Sequence, residues 1–419
     1  MPILVSADRA RILLNRLQER LWVKPLSVCV LSILLVFAAK LADGTPLMQL
    51  VPALKQEAIE TLLSIIAGSM LVIATFSVAS MVSAYASASG TATPRSFPLV
   101  IADDASQNAL STFVGAFIFS IVALTAVMNG YFKTAALFVT FVLTVIVFGV
   151  VIVTFVRWVD RIARLGRLGS TINKVEAATG KALKRRRDAK TLCGVPVRSG
   201  ARGPALFAES VGYIQYIDMA ALQAWAEENQ LRLEIAALPG AFITPDRAVA
   251  YIKGRPNEQA ALNCEQVIQS FQIGNSRLFD DDPRFGLVVL SEIAGRALSP
   301  GINDPGTAID IIGALLRLFI LWGGPSKADD QKSPVHDRVE VPELSAQDMF
   351  DDAFTAIARD GAGVVEVSIR LQKALRTLKA LGEPEVRDAA ERHGKLALKR
   401  AQIAMSLEED LEAVRNAAS

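Results

Sequence analysis

Six hydroxyl side chains share one face of a long apolar stretch between Glu60 and Ser89. At about 100° per residue, Ser69, Ser77, Ser80, Ser83, Ser87 and Thr91 fall within a sector of roughly 120°. Ser64 and Thr75 lie on the other side. Such a face suits two purposes. Small hydroxyl residues let neighbouring helices approach closely and bond the carbonyls of their own helix, and Ala79, Ser83 and Ser87 stand at the four-residue spacing this packing uses. The same hydroxyls can line a water-filled path for an ion or small solute. Ser111 and Gly115 of the next apolar run offer a partner surface for either arrangement.

The stripe leads into "TATPRSFPLVIADDASQNALS", where Pro94 and Pro98 stiffen the chain around Arg95. Asp103, Asp104 and Asn108 follow, just before the next apolar run. Acids there complement a helix N-terminus. They also suit a charged vestibule that attracts cations at a pore mouth. A third constellation joins Arg296 to "LSPGINDPGTA". Backbone amides at a helix start, with Asn303 and Thr307 beside them, suit an anion. Asp304 at the cap position opposes one and favours a tight structural turn.

Other chemistry finds no support. The two histidines, His336 and His393, have no neighbours at metal-ligand spacing. No nucleophile elbow, dinucleotide fingerprint or complete phosphate-binding loop occurs. Cys29, Cys193 and Cys264 form neither a disulfide framework nor a zinc pattern. The expectation is no catalytic residue, no metal and no cofactor, with enzymatic activity left open.

The elements that must position these residues are helices in a membrane. The chain is 52% hydrophobic, too apolar for an ordinary soluble protein, yet 21% charged, too much for a membrane protein throughout. Four apolar runs precede Trp158: Leu26–Leu41, Ile59–Ser83, Ala109–Met128 and Ala135–Val156. Each is near the roughly 20 residues that cross a hydrocarbon core. Lys40, near the end of the first, can snorkel to the headgroups. Residues 1–24 alternate arginines with Ile12, Leu13, Leu17 and Leu21, as in an amphipathic helix lying on a membrane surface. Basic residues crowd this segment and the stretch from Arg157 to Lys190, whereas the loops between paired runs hold few. Both termini are therefore expected in the cytoplasm, with four spans between them. The basic segments suit anionic lipid headgroups. No aromatic residues interleave with them after Trp158, so nucleic acid is not expected.

The expected fold is a mainly α membrane protein, four transmembrane helices (residues 25–158) followed by a cytoplasmic α+β domain. A basic juxtamembrane helix fills 159–190. A small β-rich module spans 191–256, with "LRLEIAAL" placing Leu231, Leu233 and Ile235 on one face and Arg232 and Glu234 on the solvent face. Its second half resembles barrel-sandwich modules that carry lipoyl or biotinyl groups, but no lysine stands at a hairpin tip. Residues 257–322 read as helical: Asn257 opens one helix running to about Phe271, and Asp282-Pro283 and Asp304-Pro305 open two more. Residues 323–344 read as a mobile loop. Residues 345–419 read as two helices, about Ser345 to Leu381, with Gly361 and Gly363 as places where it can break, and Glu383 to Arg415.

"IATFSVASMVSAYASASGTATPRSFPLVIADDASQNALSTFVGAFIFSIVAL" and "RALSPGINDPGTA" resemble the two signature regions of a family of predicted bacterial membrane proteins, domain of unknown function 2254. The resemblance covers most of the chain, with spans, β module and helices in the same order. The family pattern shows Gly-Asp where this chain has Gly240-Ala241. The resemblance implies a bacterial inner-membrane location and brings no activity. The residues themselves suggest an oligomeric channel or transport protein, since four spans enclose little space alone. A membrane-anchored sensor or scaffold, its cytoplasmic domain binding a ligand or partner, is the alternative.

Overall fold

A computed structural model describes residues 22–44, 52, 54–101, 104–162, 167–198, 203–254, 263–324 and 334–419. The amphipathic segment expected at the N-terminus lies almost wholly outside them, as do Asp103 and Asn257. The chain divides into two compact units, Met1–Thr171 and Ile172–Ser419.

The first unit is helical: α1 (Val23–Ala39), α2 (Gln56–Thr91), the short α3 (Phe97–Ile101), α4 (Asp104–Met128) and α5 (Thr134–Ile162). One row of α2 at three- and four-residue spacing is buried: Ile59, Leu63, Ile66, Met70, Ala74, Ser77, Met81 and Tyr85. This row packs on α4 in opposite directions along the two helices. Ile59 and Leu63 join Phe119, Ala123 and Val127, whereas Ile66, Met70 and Ala74 join Ala109, Phe113, Ala116 and, from α5, Trp158. Met81, Tyr85 and Val100 close the stack. Large apolar side chains on α1, α2 and α5, such as Leu31, Val72 and Val156, point outward. An exterior of that kind suits lipid.

Gly115 of α4 faces α1 rather than α2. A Cβ built there would lie 2.4 Å from Val28 Cγ1, so glycine permits the close approach of α1 and α4. Lys40 is held within the protein. Its Nζ lies 3.1 Å from the Asp43 carboxylate and 4.8 Å from the centre of the Tyr131 ring. Asp43 in turn accepts the backbone amides of Lys133 and Ala136, each at 2.9 Å. It thereby caps α5 and ties the end of α1 to the α4–α5 turn.

The second unit begins with α6 (Leu168–Asp188), most of which lies in it. It continues as β1 (Gly194–Pro196), β2 (Ala205–Phe207), β3 (Gly212–Ile217), α7 (Met219–Glu228), β4 (Arg232–Ile235), β5 (Phe242–Ile243), β6 (Ala248–Lys253), α8 (Cys264–Gln269), β7 (Phe271–Gly274), α9 (Pro283–Ala297), α10 (Pro305–Trp322), β8 (His336–Val341), α11 (Ala346–Asp360), α12 (Val365–Leu381), α13 (Pro384–Ala404) and α14 (Glu408–Ala418). A five-stranded sheet runs β1-β8-β4-β6-β2, and a three-stranded one runs β5-β3-β7. β8 pairs in parallel with both β1 and β4. This mixed sheet holds the sequence-distant strand β8 between β1 and β4, unlike a barrel-sandwich hairpin module. Leu222, Trp225, Leu233, Ile235, Ile252 and Val339 are among the residues of its core.

Local differences from the sequence reading have physical reasons. β8 comes from the stretch expected to be a loop. Its charged "HDRVEV" hides Val339 and Val341, which are fully buried. The helix expected from Asn257 starts at Cys264 and stops at Gln269, because Phe271 is needed to pair with Ile217. The two C-terminal helices are four. The first breaks after Asp360 at Gly361, one of the two glycines the sequence offered as a break. The second breaks where Met405 and Leu407 turn extended.

The helical part packs around α10. Gly180 of α6 lies against Leu318 and Leu321, Phe319 stacks with Phe350 and Phe354 of α11, and Arg317 makes a two-pronged ion pair with Glu176 at 2.7 Å. Among the described residues, α10 is one of five helices long and apolar enough to cross a membrane, the others being α1, α2, α4 and α5. Length and composition therefore leave the number of spans at several, without fixing it at four.

Candidate functional site

The hydroxyl stripe divides when α2 is set among its neighbours. Ser77 points into the bundle and is fully buried. Ser69, Ser83 and Ser87 are exposed, and Ser80 is half-buried. Thr91 ends the helix. Four of the six positions therefore lie on or beside a face that this chain's own helices leave open. The Ser69 hydroxyl donates to the carbonyls of Ile65 and Ile66. On the other side of the helix Thr75 donates to Leu71 at 2.8 Å. Hydroxyls so satisfied tolerate lipid or a packed helix, and they retain acceptor capacity for water.

Beyond the stripe, Thr93 caps a single helical turn by accepting the Arg95 amide at 3.0 Å. The Arg95 side chain is exposed. Asp104 begins α4, and exposed Asn108 follows one turn later, its carbonyl accepting the Thr112 hydroxyl.

Two more buried polar side chains of this unit were not announced by the sequence. Gln107 of α4 and Trp158 of α5 are 1% and 2% exposed. The Gln107 amide nitrogen donates to the Ile101 carbonyl at 3.1 Å, which fixes which end of the amide is the oxygen. The Ser77 hydroxyl, the Gln107 carbonyl oxygen and the Trp158 indole nitrogen are all buried without a hydrogen-bond partner among the described residues. Ser111, buried one turn beyond Gln107, is satisfied by the Gln107 backbone carbonyl at 2.7 Å. The signal in the sequence was faint: an isolated glutamine before an apolar run, and a tryptophan that reads as an interfacial anchor.

The Arg296–Thr307 segment is a closed corner between α9 and α10. Asp304 accepts the Thr307 amide at 3.1 Å and its hydroxyl at 2.6 Å. The Asp304 and Asn303 amides donate to Ala297 and Ser299. Asn303 takes the left-handed backbone, φ 50°, that asparagine tolerates. The Thr307 hydroxyl, then the backbone amides, hold the Asp304 carboxyl below its ordinary range against a small opposing effect of burial. The cap is filled by the protein's own acid, as the sequence indicated.

In the sheet, Glu234 and Glu340 lie side by side on β4 and β8, 3% and 2% exposed. Lys253 Nζ reaches both, at 2.6 and 2.7 Å. The Arg198 amide adds a bond to Glu340 at 3.0 Å, and Arg232 lies 3.4 Å away. Burial pushes the Glu340 carboxyl up. Its bonds to Lys253 and Arg198 and the charges of Lys253 and Arg232 outweigh burial and hold it below the usual range. Alternation had placed Glu234 on a solvent face; the network covers it instead. In the basic stretch after Trp158, Arg186 is buried against the Pro342 carbonyl, and desolvation lowers its pKa to about 10. That side chain is not available to headgroups. Among the described residues no group of histidine, cysteine or acidic side chains is placed to hold a metal.

Several long apolar helices with an outward apolar surface, joined to a C-terminal α+β region, define a multi-pass membrane protein. The chain belongs to the predicted membrane protein family DUF2254, whose model matches residues 18–377. It is 28% identical over 131 residues to uncharacterised proteins of Mycobacterium tuberculosis and Mycobacterium bovis, Rv1290c and Mb1321c. The match covers 30% of this chain and 25% of each relative, so the chain spans about a quarter of their length. No solved structure matches.

Proposed function

We propose that this protein is an oligomeric channel or transport protein of the bacterial inner membrane, with α2 lining a polar path for an ion or small solute. α1, α2, α4 and α5 are the four spans, both termini are cytoplasmic, and the α+β region assembles or gates the path. The observation that carries the reading is the open hydroxyl face of α2: Ser69, Ser83 and Ser87 are exposed and Ser80 half-buried. Hydroxyls in such a row retain acceptor capacity that water can use. A second copy set against it would enclose a polar seam, with Arg95 and Asn108 at its cytoplasmic mouth. α10 belongs to the soluble region in this reading, supported by its burial against α9, α11 and α12. The exposed members of the basic segments meet anionic headgroups.

Purified protein in liposomes is expected to give ion or solute flux that Ser80→Leu lowers at least several-fold. Absence of flux under every ion and voltage condition would remove the reading.

A second reading, a membrane-anchored sensor or scaffold, draws on residues 172–419 forming a compact unit of their own. It expects that segment to fold when expressed alone and to shift its melting temperature with a ligand. Failure of both would set it aside.

A further inference from the structure

Two arginines converge on one glycine in the helical part of the second unit. Gly313 lies on α10. A Cβ built on it would stand 3.6 Å from Arg317 Nη1 and 3.7 Å from Arg370 Nη2. Arg317 is one turn further along α10, and Arg370 comes from α12. Both arginines are exposed, whereas Gly313 beneath them is buried. The missing side chain at 313 lets both guanidinium groups lie over the helix. No carboxylate of the described residues comes within 4 Å of the point they share.

The two cations differ in their partners. Glu176 of α6 accepts from Arg317 Nε and Nη2, each at 2.7 Å. That ion pair fixes the guanidinium plane and leaves Nη1 aimed at Gly313. Arg370 makes no hydrogen bond or ion pair among the described residues. Like charges repel, and a long exposed side chain gains rotamer freedom by swinging into water. Arg317 is tethered by Glu176, but Arg370 is not, and it still lies over the same point. An anion between them would turn that repulsion into charge-assisted hydrogen bonds from both sides.

The surrounding charges are mixed. Glu176 and Asp310 act on Arg317. Glu176 is already spent on its own pair, and Asp310, one turn before Gly313, opposes an anion. α12 exposes Glu366 before Arg370, and Lys373 and Arg376 after it. The donor geometry selects among anions. A carboxylate matches the two-pronged edge of a single guanidinium, as Glu176 does. The donors left over here come from two helices. A tetrahedral phosphate turns oxygens in divergent directions and carries enough charge for both arginines.

We propose that Arg317 and Arg370 hold a phosphate group over Gly313, either as the free ion or as the phosphate of a lipid headgroup. The site lies within the second unit and stands whether or not α2 lines a path.

The test is equilibrium dialysis of the full chain in neutral detergent with two radiolabelled probes, inorganic phosphate and a short-chain phosphatidic acid. Binding of inorganic phosphate makes the free ion a sufficient ligand. Binding of the phosphatidic acid alone makes the headgroup the ligand. In either case Arg370→Gln is expected to weaken binding at least about tenfold, and Lys373→Gln, one turn on, by less than about twofold. Arg370→Gln removes an exposed side chain without a partner, so its melting temperature should stay within about 1 °C of the parent. If that variant fails to fold, Arg370→Lys takes its place and is expected to weaken binding several-fold, since it keeps the charge and loses the planar donors. Asp310→Asn is expected to tighten binding. No Arg370-dependent binding of either probe overturns the proposal. So does equal weakening by Arg370→Gln and Lys373→Gln, which would mean diffuse surface charge and no site.

Discussion

The buried polar groups of the sheet and those of the helical bundle are treated oppositely by the fold. In the sheet, Lys253 bonds both Glu234 and Glu340, and the Arg198 amide and Arg232 complete the Glu340 carboxylate. That network is closed on itself and has the character of a staple between β4, β6 and β8. In the bundle, the Ser77 hydroxyl, the Gln107 carbonyl oxygen and the Trp158 indole nitrogen are each buried with hydrogen-bonding capacity unspent among the described residues. A closed network contributes to stability and leaves nothing for a ligand. An open one needs something from outside the chain, which is why the membrane unit is the better place to look for function.

The largest expected effect tests the closed side. Lys253→Met leaves two adjacent buried carboxylates without their cation and should cost roughly 2–4 kcal/mol in denaturant unfolding. Replacing Glu234, Lys253 and Glu340 together by leucine should restore much of that loss. A single variant as stable as the parent would show that the network is not closed after all. Its pH dependence sharpens the point. The Glu340 carboxyl is held below its ordinary value of 4.5. Its contribution is therefore fully present above that pH and lost as pH falls through the lower, folded value. Lys253→Met should flatten the stability profile in this acid range.

A smaller effect is expected at the corner between α9 and α10. Asp304→Ala removes a filled cap and should cost about 1 kcal/mol, with no change in flux, because the corner serves structure. A change in flux at unchanged stability would move function to that turn. The smallest effect is expected on the open face of α2. Ser69→Ala deletes an exposed hydroxyl that bonds its own helix and should alter stability by less than about 0.5 kcal/mol. A larger loss would mean that Ser69 is packed within an assembly.

How far the sequence announced these features follows from whether the signal was local. The caps Asp282 and Asp304, each before a proline, read directly and bond the amides three residues on. The apolar runs marked α1, α2, α4 and α5 because length and hydropathy suffice for that. The stripe was visible as a periodicity, but periodicity cannot say which neighbours cover which part, so the inward turn of Ser77 was hidden. Gly115 read as a partner for α2 until the approach of Val28 assigned it to α1. β8 and the burial of Glu234 were illegible for one common reason. Each depends on a pairing between residues about a hundred positions apart, Glu234 with Glu340, and no local pattern encodes it.

The central claim is that the open face of α2 meets water in the assembled protein. The direct measurement is modification by a membrane-impermeant thiol reagent of Ser69→Cys, Ser80→Cys and Ser83→Cys, one at a time, in a full-length background with Cys29, Cys193 and Cys264 replaced. The account predicts rapid labelling at Ser80→Cys and Ser83→Cys in the membrane, with Leu71→Cys, exposed on the opposite side of the helix, unreactive. Equal protection of all four positions would place the stripe in lipid or a dry helix contact and contradict it.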